Sequence, residues 1–222
     1  MKENIENFNS KKIFVRFIPE DEEKLNKIIK DIQHFGGISK KVTEKLFINN
    51  LDSLIINHNK KYNKILKSWI NPDNIIEAEL LYRLTRDGDT FSKFHELCDD
   101  KGSTLTIFNV NDENIGGIYT PLSWNPSKEE KYDRETFMFN LSKGTKYKNI
   151  HKKISIFCTK SSGPWTYDFG FNKSMNKIEH RGINIDNSYE KGSEILPNNS
   201  NEIKFFDAKE VEIYKISLIN DD

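Results

Sequence analysis

The first third of the chain carries its apolar residues at helical spacing. Between Pro19 and Gly36 they follow one another at steps of three and four, which predicts a helix over this stretch. A second helix is predicted from about Ser39 to Ile70, because its apolar positions repeat like the seam of a coiled coil over about three heptads. The seam consists of Ile48, Leu51, Ile55, His58, Tyr62, Ile65 and Trp69.

Two interpretations of this seam stay open. It can join two copies of the chain as a coiled-coil dimer, or it can pack as an amphipathic face against the first helix or the chain's own domain. His58, its polar member, is interpreted as a tolerated or register-setting residue rather than a ligand. The sequence Asn-Pro-Asp at residues 71–73 ends the helical pattern. We therefore predict a helical or coiled-coil region over residues 1–71 and a second domain over residues 72–222.

After this boundary the pattern predicts two short helices and then a series of strands. The apolar residues between Ile75 and Gly102 keep helical spacing, and Asp89 or Thr90 can cap the second helix. From Thr104 onward apolar and polar residues alternate, and the polar sequence NDEN separates two such strands as a hairpin turn. Further strand candidates are TFMFNLS, KISIFCTK, WTYDFGF, IEHRGINI and AKEVEIYKISL, whereas NPSKEEKYDRE and LPNNSNE are predicted loops. This order indicates an α+β fold with two packed antiparallel sheets and short flanking helices.

Composition and charge narrow the classes of function. Apolar residues make up 36% of the 222 residues and aromatic residues 12%, which supports a packed core. The 34 basic and 34 acidic residues balance, so the chain has no global field that would attract nucleic acid or an anionic membrane. Cys98 and Cys158 form no metal-binding motif, and reduced thiols are expected. The polar N-terminus lacks a signal-peptide core, and no apolar run approaches the ~20 residues that span a bilayer. We therefore expect a cytoplasmic protein without cofactor or metal.

One long stretch, LLYRLTRDGDTFSKFHELCDDKGSTLTIFNVNDENIGGIYTPLSW, resembles the opening of a TLDc domain. The resemblance continues in FMFNL, DFGF and DAKEVEIYKI and covers about Ile75 to Ile216. The motif residues that carry it include Asp99, Gly102, Gly116, Gly117 and Gly170. The segments SSGPWTYDFG and NKSMNKIEHRG depart from the family's pattern, and the helical region before Asn71 lies outside it.

The resemblance implies a TLDc-like β-sandwich with flanking helices. Members of this family are linked to oxidation resistance and the stress response, some bind and regulate the vacuolar proton-pumping ATPase, and no catalytic mechanism is firmly attached to the fold. The resemblance therefore implies a non-catalytic interaction module that is recruited to the surface of acidic organelles, with ATPase subunits as partners. A homodimer through the N-terminal helix is a further expectation. Ser123, Trp124, Glu210 and Glu212 are the candidates for contacting a partner.

The same residues allow an enzymatic alternative, a small hydrolase. Ser123 is a possible nucleophile, but its surroundings lack the Gly-x-Ser-x-Gly elbow. Glu210 and Glu212 share one strand face, where they form a solvated surface or, if one is buried, an acid–base pair. Gly116 and Gly117 follow a hairpin turn, which favours a bulge or a close approach within the sheets over a phosphate-binding loop.

Two further alternatives depend on a thiol and on a run of lysines. Cys158 can serve a thiol-based peroxide or redox-sensing protein if its thiol is exposed and acidic. A basic run precedes it, and we expect it to be a solvated loop, with a surface for an anionic partner as the second interpretation and nucleic-acid binding as the third. The basic run consists of Lys143, Lys146, Lys148, Lys152 and Lys153.

Overall fold

The computed structural model describes residues 51, 53–57, 59–72, 75–111, 113–150, 154–181, 189, 195–197 and 202–219. They belong to a unit that runs from Asn49 to Ile219. The predictions for residues 1–50, including Ile48, and those for His58, Lys152 and Lys153 lie outside the described residues.

Strands dominate the described part of the chain. The helices are α1 (Lys60–Ile70), α2 (Leu84–Asp87) and α3 (Phe91–Cys98). The strands are β1 (Ile75–Arg83), β2 (Thr104–Asn111), β3 (Asn114–Thr120), β4 (Glu130–Lys131), β5 (Phe137–Asn140), β6 (Thr145–Lys148), β7 (Ile156–Phe157), β8 (Phe169–Phe171), β9 (Lys177–His180), β10 (Lys204–Asp207) and β11 (Glu210–Ile219).

These strands form three sheets within the described residues. The largest has the order β1-β11-β2-β3-β5-β6, and two smaller sheets have the orders β10-β9-β8 and β4-β7. Neighbouring strands pair antiparallel in all three. The prediction of a β-rich fold with antiparallel sheets is confirmed.

The six-stranded sheet separates two apolar clusters. The front cluster contains Phe108 of β2 and Met138 of β5, and it includes Phe169 and Phe171 of β8. The ring centroid of Phe108 lies 5.5 Å from that of Phe169 and 6.2 Å from that of Phe171. The sheet that contains β8 therefore packs on the front face.

The back cluster lies on the opposite face, because successive side chains along a strand point in opposite directions. It contains Leu105 of β2, Phe139 of β5 and Tyr214 of β11, together with Ile55 and Leu66 from the chain before β1. We call the described residues between 51 and 70 the cover segment, since they bury this face.

The cover segment is not the continuous helix that the heptad pattern predicts. Helix α1 begins only at Lys60, and the side chain of Asn59 caps it by accepting hydrogen bonds from the Lys61 N–H at 3.0 Å and the Tyr62 N–H at 3.3 Å. Asn57 just before the cap has a φ of +40°, which a right-handed helix does not allow.

The seam residues in the described part of the chain pack on the sheet. Leu51 and Ile55 are buried in the back cluster, and Tyr62, Ile65 and Trp69 pack against it. Of the two interpretations of the seam, packing on the chain's own domain is the one that these side chains adopt. The unit consequently begins before the predicted boundary at residue 71.

The first predicted helix after that boundary is wrong, because residues 75–83 form strand β1. Glu, Ala and Leu give this stretch a good helical propensity, but β11 offers a long antiparallel partner, and Ala78 pairs with Ile216. Leu80 then packs on the back cluster and Leu81 on the front cluster. Tertiary pairing thus overrides local preference. The second predicted helix, α3, is confirmed, with Thr90 as its cap.

The predicted hairpin is confirmed as β2 and β3, and its two glycines serve close packing. A Cβ on Gly116 would lie 2.6 Å from the Phe108 ring, and one on Gly117 would lie 2.4 Å from the Phe139 ring and 2.1 Å from the Thr106 carbonyl oxygen. One glycine thus receives an aromatic ring on the front face and the other on the back face. The prediction of a close approach in place of a phosphate loop is confirmed.

Besides β1, three strands lie in segments that the pattern does not predict as strands. β4 falls within the predicted loop NPSKEEKYDRE, β6 falls within the basic run, and β10 follows LPNNSNE. Tyr147 of β6 is buried in the front cluster, so its burial rather than its lysine neighbours determines the conformation of that stretch. Polar composition hides such edge strands from a periodicity analysis.

Candidate functional site

Glu212 is the centre of a buried polar network on the back face. Its side chain is fully buried, and it accepts hydrogen bonds from the Leu54 N–H at 2.9 Å, the Arg83 Nε at 2.9 Å and the Tyr214 hydroxyl at 3.0 Å. The Ser53 hydroxyl also donates to it. The network therefore joins β11, β1 and the start of the cover segment, which are far apart in the sequence.

The electrostatics of this network keep the side chains that donate to Glu212 in their protonated forms. Burial lowers the pKa of the Arg83 guanidinium, but the charge and hydrogen bond of Glu212, together with those of Tyr214, raise it overall. Burial, and next the charge of Glu212, raise the pKa of Tyr214 far above its usual range. The tyrosine stays protonated and acts as a hydrogen-bond donor, and the arginine stays cationic.

Glu210 lies two residues earlier on the same strand face and is also buried. It accepts hydrogen bonds from the Thr85 N–H at 3.2 Å and the Thr85 hydroxyl at 2.5 Å, and from the Val211 N–H at 3.0 Å. Glu210 thus anchors α2 to β11. The interpretation of Glu210 and Glu212 as a solvated face is wrong, and their burial withholds both carboxylates from direct contact with a partner.

Ser123 and Trp124 lie in the connection that follows β3, and both side chains make hydrogen bonds there. Trp124 is only 1% exposed, its Nε1 donates to the Thr104 hydroxyl at 2.9 Å, and its ring lies 6.2 Å from that of Phe94. The Ser123 hydroxyl accepts the Gly102 N–H at 3.0 Å. Trp124 is therefore a core residue and not a surface contact.

Ser123 also has no catalytic partner in the described part of the chain. Its carbonyl oxygen accepts a hydrogen bond from Lys131 Nζ at 2.8 Å, and neither histidine nor carboxylate contacts its hydroxyl there. A serine nucleophile needs an adjacent general base. The geometry gives no support to the hydrolase alternative.

The two cysteines are buried in the front cluster. Burial is the largest cause that raises the pKa of the Cys98 thiol, and the charge of Asp99 adds to it. Burial likewise raises the pKa of Cys158 above its usual value. A redox sensor needs an exposed thiol with a lowered pKa, so Cys158 lacks both properties.

The three lysines of the basic run that the structure describes do not form a continuous charged surface. Lys146 Nζ donates to the Trp69 carbonyl oxygen at 2.8 Å and lies 4.1 Å from the centre of the Phe137 ring. Burial, and next the charge of Lys148, lower the pKa of Lys146. Lys143 and Lys148 are exposed, but the lysine between them holds the end of α1. This weakens the nucleic-acid interpretation.

Sequence reasoning missed several residues that the structure brings together, and His95 is an example. Its Nδ1 lies 2.9 Å from the Asp99 carboxylate, and its Nε2 lies 3.0 Å from the Thr159 carbonyl oxygen. The spacing of four residues in α3 places His95 and Asp99 side by side and could have revealed that pair. Nothing in the sequence indicates the contact with Thr159, or those of Arg83 and Lys146.

Two kinds of feature are not found among the described residues, a cluster of metal ligands and a membrane-spanning helix. Among them, no group of three or more histidine, cysteine, aspartate or glutamate side chains is placed to hold a metal ion. None of the described helices is long and apolar enough to cross a membrane.

Comparison with known families identifies the domain. The family model of the TLDc domain matches residues 50–217, so the match includes the cover segment and ends within β11. A comparison with curated proteins gives no significant match. The match from residue 50 corrects the expectation that the chain before Asn71 lies outside the family domain. By this match over most of its length, the chain belongs to the TLDc domain family.

Proposed function

We propose that this protein is a non-catalytic interaction module that binds and regulates the vacuolar proton-pumping ATPase and contributes to oxidative-stress resistance. Its family membership supports the proposal, because some TLDc proteins have this role. The proposal places it in the cytoplasm, with recruitment to the surface of acidic organelles. Pairing of two copies through the chain before the cover segment is a separate proposal.

One observation carries the non-catalytic part of the proposal. Among the described residues, the candidates named above for nucleophilic or acid–base chemistry are engaged in structural contacts. Glu212 holds the cover segment, Glu210 holds α2, and the thiols of Cys98 and Cys158 lie in the front cluster. A catalytic group must be accessible to a substrate, and all four of these side chains are buried.

The test is direct binding between the purified full chain and the purified ATP-hydrolysing sector of the vacuolar ATPase from the source organism. We expect saturable binding, measured by an immobilised-bait optical assay, and a change in ATP hydrolysis over the same concentration range. Gly117→Val is the matched control, because its side chain would collide with the Thr106 carbonyl oxygen and disrupt the sheet. No binding by the native chain, or equal binding by the disrupted variant, would overturn the proposal.

A further inference from the structure

A cavity of about 320 Å³ lies beside the loop between β7 and β8. This volume falls within the range of about 300–1,000 Å³ that is usual for small-ligand pockets. Three of its walls matter for what it can bind. An apolar wall includes Phe157, an aromatic wall consists of Trp165 and Tyr167, and a polar wall includes Arg181 and the hydroxyl-bearing Ser161.

The aromatic wall is fixed by its own local structure. Thr166, between the two rings, is buried, and its hydroxyl donates to the Phe169 carbonyl oxygen at 2.8 Å and accepts the Phe169 N–H at 3.0 Å. Trp165 lies directly against Gly170, where an added Cβ would come within 2.4 Å of the indole ring. The glycine of the DFGF motif thus lets the indole lie close to β8, and the cavity wall is already formed without a ligand.

Arg181 lies beside the aromatic wall, and its side chain makes no hydrogen bond with the described residues. Its guanidinium carbon lies 5.3 Å from the centre of the Tyr167 ring and 6.0 Å from that of Trp165. Its Nε lies 3.7 Å from a Glu179 carboxylate oxygen, and the other oxygen accepts a hydrogen bond from Asn172 Nδ2 at 2.6 Å. The rings attract the guanidinium through its positive charge and accept no conventional hydrogen bond from its N–H groups. Among the described residues, none accepts a hydrogen bond from these groups; the Nε is buried beside Glu179, so the two terminal Nη groups are the donors left for a ligand.

An unused guanidinium fork is matched by a carboxylate or a phosphate, which accepts two parallel hydrogen bonds. Thr159 and Ser161, whose hydroxyls lie 3.2 Å apart on the same loop, add further donors. Glu179 behind Arg181 and Glu130 at the rim together outnumber the single positive charge of Arg181. Attraction by a diffuse positive field is therefore weak here, and recognition depends on directed hydrogen bonds and on the aromatic wall.

We propose that this cavity binds a small ligand in which a carboxylate or phosphate is attached to a compact apolar ring. The anion lies on Arg181, and the ring lies against the wall that Trp165 and Phe157 form. This binding is independent of the ATPase proposal, because it concerns a small molecule and its own set of residues.

Titration of the full chain with phenyl phosphate and with benzoate tests this assignment. The readout is the indole N–H signal of Trp165 in two-dimensional NMR, identified with a Trp165→Phe variant. We expect a saturable shift with at least one of the two anions. The anion that binds with the higher affinity shows whether the cavity prefers a phosphate or a carboxylate. Phenol and inorganic phosphate, which each supply half of the ligand, are expected to bind at least about tenfold more weakly. The proposal would be overturned if neither anion gives a saturable shift. It would also be overturned if phenol or inorganic phosphate alone binds as tightly as the complete anion.

Variants then connect the binding to the cavity. Arg181→Gln removes the charged donors and is expected to weaken binding at least about tenfold. Arg134→Gln, at an exposed arginine outside the cavity, is expected to leave affinity unchanged. Ser161→Tyr places a ring into the mouth from an exposed position, so it is expected to abolish binding while the rest of the NMR spectrum is retained. Unchanged affinity in both Arg181→Gln and Ser161→Tyr would contradict the proposed site.

Discussion

The two faces of the six-stranded sheet are covered in different ways. On the front face, β8 and neighbouring loops bring aromatic side chains against the sheet, and Phe108, Phe169 and Phe171 form its centre. On the back face, a single stretch of chain lies across the sheet and is held at both ends by charged groups. Glu212 holds its beginning, and Lys146 holds its end.

The difference shows what each kind of contact contributes. Aromatic packing on the front buries much apolar area but is not directional, so several arrangements of similar energy can satisfy it. Buried charges on the back are destabilising unless every hydrogen bond is made. We infer that Glu212 and Lys146 fix where the cover segment lies, whereas its apolar residues supply the stabilising burial. The following predictions test this division.

The largest effect is expected for Glu212→Ala. The substitution leaves Arg83, Tyr214 and the Leu54 N–H without their shared acceptor in a buried position, and breaking such a pair costs about 3–5 kcal/mol in the free energy of unfolding. Urea unfolding of the full chain measures it. Glu79→Ala, at an exposed glutamate of β1, is the matched control and is expected to change stability by less than about 0.5 kcal/mol. Similar losses in the two variants would refute the anchoring role.

An intermediate loss of stability is expected when Gly116 or Gly117 is replaced. Because Gly116 meets a ring on the front face and Gly117 a ring on the back face, the two variants compare the faces directly. Gly117→Ala forces a methyl group against the Thr106 carbonyl oxygen, which the sheet holds in place, so we expect a loss of about 3 kcal/mol. Gly116→Ala collides first with the tip of the Phe108 ring, which can shift, so we expect a smaller loss of about 2 kcal/mol. Urea unfolding gives the order of the two variants. The reverse order would show that the front cluster is the less adaptable face.

The smallest effect is expected for Lys146→Met, with a cost of about 1 kcal/mol at neutral pH for the lost hydrogen bond and ring contact. Its pH dependence is more informative. Burial lowers the pKa of folded Lys146 below the usual 10.5, so the folded state loses this proton before the unfolded state does. The free energy of unfolding of the native chain relative to the variant should therefore rise as pH increases from the lowered pKa of folded Lys146 towards 10.5.

Urea unfolding at about pH 7.5, about pH 9 and about pH 10 measures this difference. Lys148→Met, at the exposed neighbour in the same strand, controls for the general effect of removing a lysine. A difference between native chain and Lys146→Met that stays constant or falls with pH would show that Lys146 is not buried against Trp69 and Phe137.

Much of the fold could be predicted from local pattern, and the failures share one cause. The hairpin of β2 and β3, the cap at Thr90 and helix α3 depend on residues close in the sequence, and they were predicted correctly. Strand β1 was predicted as a helix, because its state depends on pairing with β11 at the other end of the domain. The heptad seam was real as an apolar pattern, but a pattern does not specify which surface it meets.

The candidate site could be predicted only as a set of residue types. Glu210 and Glu212 were correctly placed on one face of a strand, yet their burial follows from the cover segment and α2, which lie far away in the sequence. The sequence does not indicate a role for Arg181, because Trp165 and Tyr167, which lie next to it in space, belong to a different segment of the chain.

The sequence by itself determined the family, the strand-rich character after residue 102 and the need for small residues at Gly116 and Gly117. Only the tertiary structure decided that the seam residues cover the sheet, that Trp124 and Cys158 are core residues, and that Glu212 is an anchor. The physical reason is that periodicity and turn chemistry act over a few residues, whereas burial and charge pairing depend on which distant segment lies opposite.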